Sequence, residues 1–431
     1  MPFRLIAVLV CALVALTAGP QASADKRQDQ LLASADRVAK KVAKLRGLRI
    51  KRKIQRGVMT KPQLKKRLLK RVRQEYSPTE LAAEELLLKR FGLLDPKQDY
   101  LALVIDLLTD QIAGFYDPWD KQLYIASFMA ADGGALMAHE IDHALQDQHF
   151  GLRKFMGKSK NDSDKLSARQ ALVEGDGMAL MIEFMLDSMG KSAQWGNDQM
   201  VKAISSQLGS ATGLGSMDKA PLFLREGLVF PYLAGLKFVA HFRKKHPWKR
   251  VDRIYSKPPL STEHILHPAS YESYERPDQI KARTLTALPG LAIVHHDVSG
   301  ELGTRIWLMT HGVPRGRAEL AAAGWGGDRM AVLASSGKGQ VRGSVGVSSS
   351  VWDGEADAIE YFEAATDALS QAVGKPSPVA GKSAFTFAGK AEHAAIERRG
   401  DRVVAVIGAG DAAAAIAQVD EVFKTWTLKR R

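Results

Sequence analysis

The sequence is nearly free of cysteine, because Cys11 is the single cysteine in 431 residues. Cys11 lies in an apolar run, Leu5 to Ala18, that follows Arg4 and precedes the small residues Ala22-Ser23-Ala24. A basic residue, a short apolar run and small residues in this order are typical of a secretory signal peptide. We therefore expect an exported chain, periplasmic or secreted, that is cleaved after Ala24 and keeps no thiol for disulfides.

Long apolar runs are also lacking, because no segment reaches the roughly 20 residues that a membrane-spanning helix needs. A retained N-terminal anchor is the alternative to signal cleavage. Apolar residues make up 45% of the chain and charged residues 25%, which is typical of a globular protein with a sizeable core. The length predicts two or three domains.

Acidic residues are missing between Arg37 and Arg73, where 17 residues are Lys or Arg. Apolar residues recur there at helical spacing, interrupted by Gly57 and Pro62: Val38, Val42, Leu45, Leu64, Leu68 and Val72. The pattern predicts two basic amphipathic helices. They are interpreted either as a solvated face packed over the body of the protein or as an arm that binds an anionic envelope surface. No aromatic residue is interleaved to stack on bases, so no specific nucleic acid is expected.

The rest of the chain predicts an α+β fold. Helices dominate up to about residue 250, with a short β-hairpin around Asp117-Pro118, and strands with tight turns follow from about residue 285. Arg399-Gly400-Asp401 is expected to be one of those turns. The predicted units are a signal peptide (1–24), a basic helical arm (25–75), a helix-rich domain (76–280) and a smaller antiparallel α+β domain (285–431).

The stretch AHEIDHALQDQHF, residues 138 to 150, carries an H-E-x-x-H motif. Residues four apart on a helix lie about 40° apart around the axis and about 6 Å along it, so His139 and His143 can share one ion. Neutral imidazoles suit Zn²⁺, and Glu140 on the flank of the pair suits a general base.

A catalytic zinc site needs a third protein ligand, and two residues are candidates. His149 fits a longer three-histidine pattern, except that Gln146 stands where that pattern has the glycine that breaks the helix. In a continuous helix His149 would lie about 9 Å beyond His143. Glu174 lies among apolar neighbours on another amphipathic helix, where a cation would offset the burial of its charge. We therefore expect Glu174 to complete the site.

AHEIDHALQDQ followed by ALVEGDG resembles the gluzincin metallopeptidases, the thermolysin-like group, and especially secreted bacterial members that have GFYDP and STE-x-x-LHP blocks. The similarity covers roughly residues 35 to 275. It implies a helix-rich, zincin-like catalytic domain with Zn²⁺ at His139, His143 and Glu174 and with Glu140 as general base. It also implies that the hairpin offers a strand edge to an extended peptide.

The sequence departs from thermolysin-like enzymes at Asp142, where a neutral residue is usual, and at Met178, where an acid is usual. Asp176 or Asp147 is therefore the acid expected to orient a histidine instead. The resemblance favours His267 as a donor to the developing oxyanion, and a role in loop packing is the alternative.

Together these features predict an exported zinc metallopeptidase that hydrolyses peptide bonds through a water activated by Glu140. The alternative is an envelope-associated binding protein in which zinc only stabilises the fold and the basic arm binds polyanions. The sequence leaves open the substrate, the cleavage preference, the role of the C-terminal domain and the oligomeric state.

Overall fold

The structure is a computed structural model. It describes residues 12–14, 24–126, 134–157, 161–197, 199–203, 206, 217, 219–244, 246–335, 343–390 and 392–431. A helical region is followed by a seven-stranded antiparallel sheet, which confirms the predicted α+β class. The predicted signal peptide lies outside the described residues, apart from strand β1 (Ala12–Val14) and Ala24. Among the described helices, none combines the length and the apolar character that a membrane crossing requires.

The basic region folds as a helix, a strand and a second helix rather than as two helices alone. The elements are α1 (Ala24–Arg46), β2 (Gln55–Met59) and α2 (Lys61–Glu75). The prediction missed β2 because its pairing is tertiary: it lies parallel to a strand more than 60 residues later in the chain. Thr60 and Gln63 form a capping box that starts α2 directly after the strand.

The arm is part of the hydrophobic core. Four of its predicted apolar positions are buried: Val42, Leu64, Leu68 and Val72. Several of its basic residues form ion pairs with acids elsewhere in the chain, such as Lys65 with Asp106 and Arg67 with Asp117. The arrangement matches the packing interpretation of this region.

Two helices and a hairpin follow the arm. They are α3 (Pro78–Arg90), α4 (Tyr100–Gln111), β3 (Ile112–Asp117) and β4 (Gln122–Ala126). The predicted hairpin is confirmed, since β3 and β4 pair antiparallel. The sheet order is β1-β3-β4-β2, so β3 pairs on its outer edge with the short strand β1.

A group of helices carries the H-E-x-x-H motif and the residues that follow it. They are α5 (Gly134–Phe150), α6 (Leu152–Met156), α7 (Ser163–Ser188), α8 (Leu222–Arg243), α9 (Lys249–Ser256), α10 (Thr262–Leu266) and α11 (Pro268–Ser273). Helix α5 is continuous through Gln146, as expected, and ends where Gly151 adopts a left-handed conformation (φ 66°). Helices α7 and α8 cross with their backbones in direct contact at Gly175 and Gly235.

The C-terminal region is a seven-stranded sheet in the order β6-β7-β8-β12-β11-β10-β9. Its strands are β6 (Ala292–Asp297), β7 (Trp325–Ala334), β8 (Val345–Trp352), β9 (Pro376–Pro378), β10 (Ala384–Ala388), β11 (His393–Arg399) and β12 (Arg402–Ala409). Its helices are α12 (Gly300–Thr310), α13 (Arg315–Ala322), α14 (Glu355–Ala372) and α15 (Ala412–Thr425). β5 (Gln279–Lys281) pairs with β13 (Thr427–Lys429) in a separate ribbon. The turn predicted at Gly400 joins β11 to β12.

The helical region and the C-terminal sheet share one hydrophobic core. The carbonyl oxygen of Phe91, just after α3, accepts hydrogen bonds from the side chains of Trp307 (3.2 Å) and His311 (2.9 Å). In a second contact between the two regions, Asp297 of β6 accepts a hydrogen bond from the backbone N–H of Ser163 at the start of α7 (2.8 Å). The first turn of α7 is therefore fixed by the C-terminal sheet.

Candidate metal centre

The two histidines of the motif lie on the buried face of α5, which packs against α7. Glu174 projects from α7 towards them. All three side chains are fully buried. A helix pair thus brings together residues that are 35 positions apart in the chain.

The three predicted ligand atoms form a compact triangle. Nε2 of His139 lies 2.9 Å from Nε2 of His143 and 3.2 Å from Oε2 of Glu174, and the third side measures 3.3 Å. Ligands held tetrahedrally at zinc bond lengths of about 2.0–2.1 Å would be roughly 3.3 Å apart. The donor set and its spacing therefore fit a zinc ion.

The charges in this triangle call for a cation. Burial alone would raise the pKa of Glu174, but His143 and His139 lower it below its ordinary value. Burial alone would lower the pKa of His143, but Glu174 and Glu140 raise it to about 10. Among the described residues, Oε1 of Glu174 has no hydrogen-bond partner although it is buried. The carboxylate of Glu174 thus depends on the two imidazoles beside it, and a metal ion bound to all three groups would offset its buried charge.

Glu140 lies beside the triangle and next to strand β3. Its Oε2 accepts a hydrogen bond from the backbone N–H of Tyr116 on β3 (2.9 Å), and Gly114 on the same strand packs against its side chain. The general base expected from the sequence is therefore oriented by the strand whose outer edge is paired with β1.

Each residue of the block Glu174-Gly175-Asp176-Gly177 has a separate structural role. Gly175 permits the crossing with α8, since a β-carbon there would lie 2.1 Å from the backbone of Gly235. Gly177 leaves room for the imidazoles of the two ligand histidines. Asp176 accepts two hydrogen bonds from Arg46, both 2.8 Å. The two glycines were a sequence signal, because glycine within a helix generally marks close approach of another group.

The side chain that faces a ring nitrogen of His143 outside the triangle is Gln146, so the expectation that Asp176 or Asp147 orients a histidine is wrong. Nδ1 of His143 lies 3.0 Å from Oε1 of Gln146. Asp176 instead binds Arg46 and the hydroxyl of Tyr255, and Asp147 accepts from the hydroxyl of Tyr116 (3.0 Å). The sequence interpretation assigned Gln146 only to helix continuity, although a glutamine three residues after a ligand faces the same side of the helix.

The other two histidines considered from the sequence lie outside the triangle. Nε2 of His149 is 2.8 Å from the backbone oxygen of Arg49, which matches a packing role. Nε2 of His267 is 2.9 Å from Oε1 of Glu301 on α12. The segment carrying His267 contacts α7 at Asp164, about 15 Å along the helix from Glu174. The oxyanion role of His267 stays a prediction that this arrangement does not support.

An aromatic residue that the sequence did not single out, Tyr232, lies next to His139. Its ring centroid is 6.3 Å from that of His139, and the residue is almost completely buried on α8. The sequence did not predict that Tyr232 lies near His139, because α8 carries no recognisable motif. Tyr232 therefore forms part of the wall of the centre.

A second group of acids, formed by Glu263, Glu275 and Asp353, also has spacing compatible with a metal ion. The guanidinium group of Arg431 hydrogen-bonds to Glu275 and Asp353. The guanidinium group of Arg431 thus already balances negative charge in this group. The candidate metal centre remains the triangle on α5 and α7.

Comparison with known proteins adds one match in the C-terminal region. A family model described as a domain of unknown function (DUF8575) matches residues 290–420, which run from just before β6 into α15. No curated protein and no solved structure matches the chain. The matched segment excludes the ligand triangle, so the similarity extends to the C-terminal sheet and its helices alone.

Proposed function

We propose that this chain is a zinc metallopeptidase. The observation that carries the proposal is the convergence of His139, His143 and Glu174 at 2.9–3.3 Å in a fully buried site. Only these three metal-binding donors converge there within the described part of the chain. Structural zinc sites generally use four protein ligands, whereas catalytic sites use three and keep one position open.

Zinc, when bound by these three residues, would acidify a water molecule and polarise the substrate carbonyl group. Glu140 would accept the proton of the attacking water as the C–O bond forms. It would then pass that proton to the amide nitrogen as the C–N bond breaks, so that a carboxyl and an amine leave. The hydrogen bond from the N–H of Tyr116 to Oε2 of Glu140 supports this role, because it would keep the carboxylate in place through both steps.

The outer edge of β3 supports a peptide as the substrate. The chain's own segment Ala12–Val14 pairs antiparallel with residues 112–115 of this strand. Backbone pairing at a strand edge is a general way to bind an extended peptide. Because Gly114 packs against Glu140, a peptide on this edge would pass next to the general base.

The test compares the wild-type chain with Glu140→Gln. We expect the variant to retain zinc, measured by elemental analysis, and to lose peptide hydrolysis by about 10²–10⁴-fold, the usual contribution of a general base. A suitable substrate would be identified by incubating the wild-type chain with a peptide library and selecting the peptides that are cleaved without a chelator but not with one. Undiminished hydrolysis in Glu140→Gln would remove the mechanism and favour the alternative of a stabilising zinc site.

A further inference from the structure

Arg46, the last residue of α1, is completely buried among acidic side chains. Its Nε and Nη2 atoms donate to the two carboxylate oxygens of Asp176, each at 2.8 Å. Its Nη1 lies 2.7 Å from Asp252, and its Nε lies 3.8 Å from Asp142. One guanidinium group from the basic arm therefore faces acids on α5, α7 and α9.

The guanidinium group is itself held in a fixed orientation. It stacks on the ring of Trp248, 4.3 Å from the centroid. Tyr255 donates its hydroxyl proton to the same oxygen of Asp176 that accepts from Nη2 (2.9 Å). The bidentate pair and the stacking surface define a single position for Arg46.

Two of these acids are directly connected to the candidate ligands. Asp142 accepts a hydrogen bond from Nε2 of Gln146 (2.9 Å), whose Oε1 faces Nδ1 of His143. Because Nε2 of His143 faces the triangle, its proton belongs on Nδ1 and is donated to Gln146. On the other helix, Asp176 is two residues after Glu174. Arg46 thus contacts both ligand-bearing helices within a few bonds of their ligands.

We propose that Arg46 is a positioning residue for the metal centre, which makes the N-terminal arm a part of that centre. Asp142 and Asp176 are fully buried acids on facing helices, and the Arg46 guanidinium group lies within 4 Å of both carboxylates. A buried acid without a cation is strongly destabilising. Arg46 places its positive charge between these two acids. In this way it keeps α5 and α7 at the distance at which His143 and Glu174 converge.

This inference rests on the proposed zinc site and predicts an effect on metal binding itself. Removing groups that orient metal ligands generally weakens metal affinity by about 10–100-fold. A residue that only added stability would lower the unfolding temperature but leave the affinity and the ligand geometry unchanged. Zinc affinity and the visible spectrum of the cobalt-substituted chain therefore separate the two roles.

Lys41 provides a matched control. It lies on α1 like Arg46, and it forms an ion pair with Asp187 near the end of α7 (2.8 Å). This pair also joins α1 to α7, but it is partly exposed and lies 13 residues after Glu174. Lys41→Met should therefore leave zinc affinity and the cobalt spectrum unchanged.

The first experiment measures zinc affinity by chelator competition and the cobalt spectrum for wild type, Arg46→Met, Arg46→Lys and Lys41→Met. We expect Arg46→Met to lose about 10–100-fold in zinc affinity and to show an altered spectrum. Arg46→Lys should recover part of the affinity, because it keeps the charge but not the two-pronged hydrogen bonding. If Arg46→Met fails to fold, Arg46→Lys decides the question, and a wild-type spectrum and affinity in that variant overturn the inference.

The second experiment is a double-mutant cycle of Arg46→Met with Gln146→Leu, again on zinc affinity. If Arg46 acts on His143 through Asp142 and Gln146, the double variant should lose about as much as the weaker-binding single variant. Additive losses would overturn this route. If wild type binds neither zinc nor cobalt, the proposed function itself fails. If wild type binds both and Arg46→Met matches it, only the positioning role fails.

Discussion

Gly177 lies directly against His139. A β-carbon on this glycine would be 2.9 Å from Nδ1 and 2.8 Å from Cε1 of the imidazole, and 3.2 Å from Cε1 of His143. Because residue 177 is a glycine, α7 can approach α5 closely. The carboxylate of Glu174, three residues earlier, then reaches the imidazoles of both His139 and His143. The width of the gap between the helices is thus set by the absence of a side chain.

Gly177→Ala should therefore weaken zinc binding by tenfold or more, since a displaced imidazole loses its ligand geometry. The unfolding temperature of the metal-free chain should change less, because alanine favours a helix over glycine by about 0.5–1 kcal/mol and offsets part of the crowding. Chelator competition and thermal unfolding measure the two effects. The control is Gly316→Ala on α13, where a β-carbon meets open space and zinc affinity should not change.

Glu174→Gln and His149→Ala should differ sharply in zinc content. Glu174→Gln removes a negative ligand from a buried triangle and should lose most of its zinc after dialysis against a weak chelator. His149→Ala removes only a contact with the backbone of Arg49, so it should keep its zinc and lose about 1 kcal/mol of stability. The opposite result would indicate a third-histidine site and contradict the resemblance to gluzincins.

Glu263 should make the protein less stable as the pH rises. Burial, together with Asp353 and Glu301, raises its pKa from 4.5 to about 8. The folded state then holds a proton that the unfolded state releases between pH 4.5 and 8, so the stability present below pH 4.5 is lost across that range. Glu263→Gln, which mimics the protonated acid, should lose less stability than wild type between pH 5 and 8. The difference should be on the order of a few kcal/mol in urea unfolding. Parallel pH profiles would contradict the shift.

Deletion of residues 25–75 should destabilise the protein rather than spare it. The deletion removes the buried residues Val42 and Leu64 from the shared core and removes Arg46 from its acids. We expect a lower unfolding temperature and increased binding of an apolar dye. A deletion that leaves both unchanged would contradict the packing interpretation. Salt-sensitive binding to anionic vesicles, lost in Lys66→Glu/Lys70→Glu without loss of stability, would reveal a second role for the exposed face.

Local sequence patterns were sufficient for the elements that form from neighbouring residues. Helix α5, the hairpin β3–β4 and the turn at Gly400 were all expected, because helical spacing and turn residues determine them. The strand β2 was not expected, since this five-residue segment, which contains Gly57, becomes a strand only by pairing with β4. Distant pairing leaves little trace in a local pattern.

The same limit applies to the candidate centre. The motif gave His139, Glu140 and His143 by spacing, and Glu174 by an acid among apolar neighbours. Arg46 could not be assigned, because one arginine among 17 basic residues has no distinguishing neighbours. Asp142 was noted as a departure from related motifs, and its explanation required the position of Arg46. The unusual acid Asp142 was thus the sequence signal for a buried ion pair. Its partner, Arg46, lies too far away along the chain to be identified from the sequence.

The contacts of the centre span very different distances along the chain, which bears on the order in which it is completed during folding. The two histidines are 4 residues apart, Glu174 is 35 residues from His139, and Arg46 is 130 residues from Asp176. Closing a longer loop has a larger entropic penalty, so α1 should dock after α5 and α7 have paired. Helix α1 would then dock last, although it precedes α5 and α7 in the chain. In pulsed hydrogen exchange, amides of α1 should become protected later in refolding than those of α5, and tight zinc retention should appear together with the protection of α1.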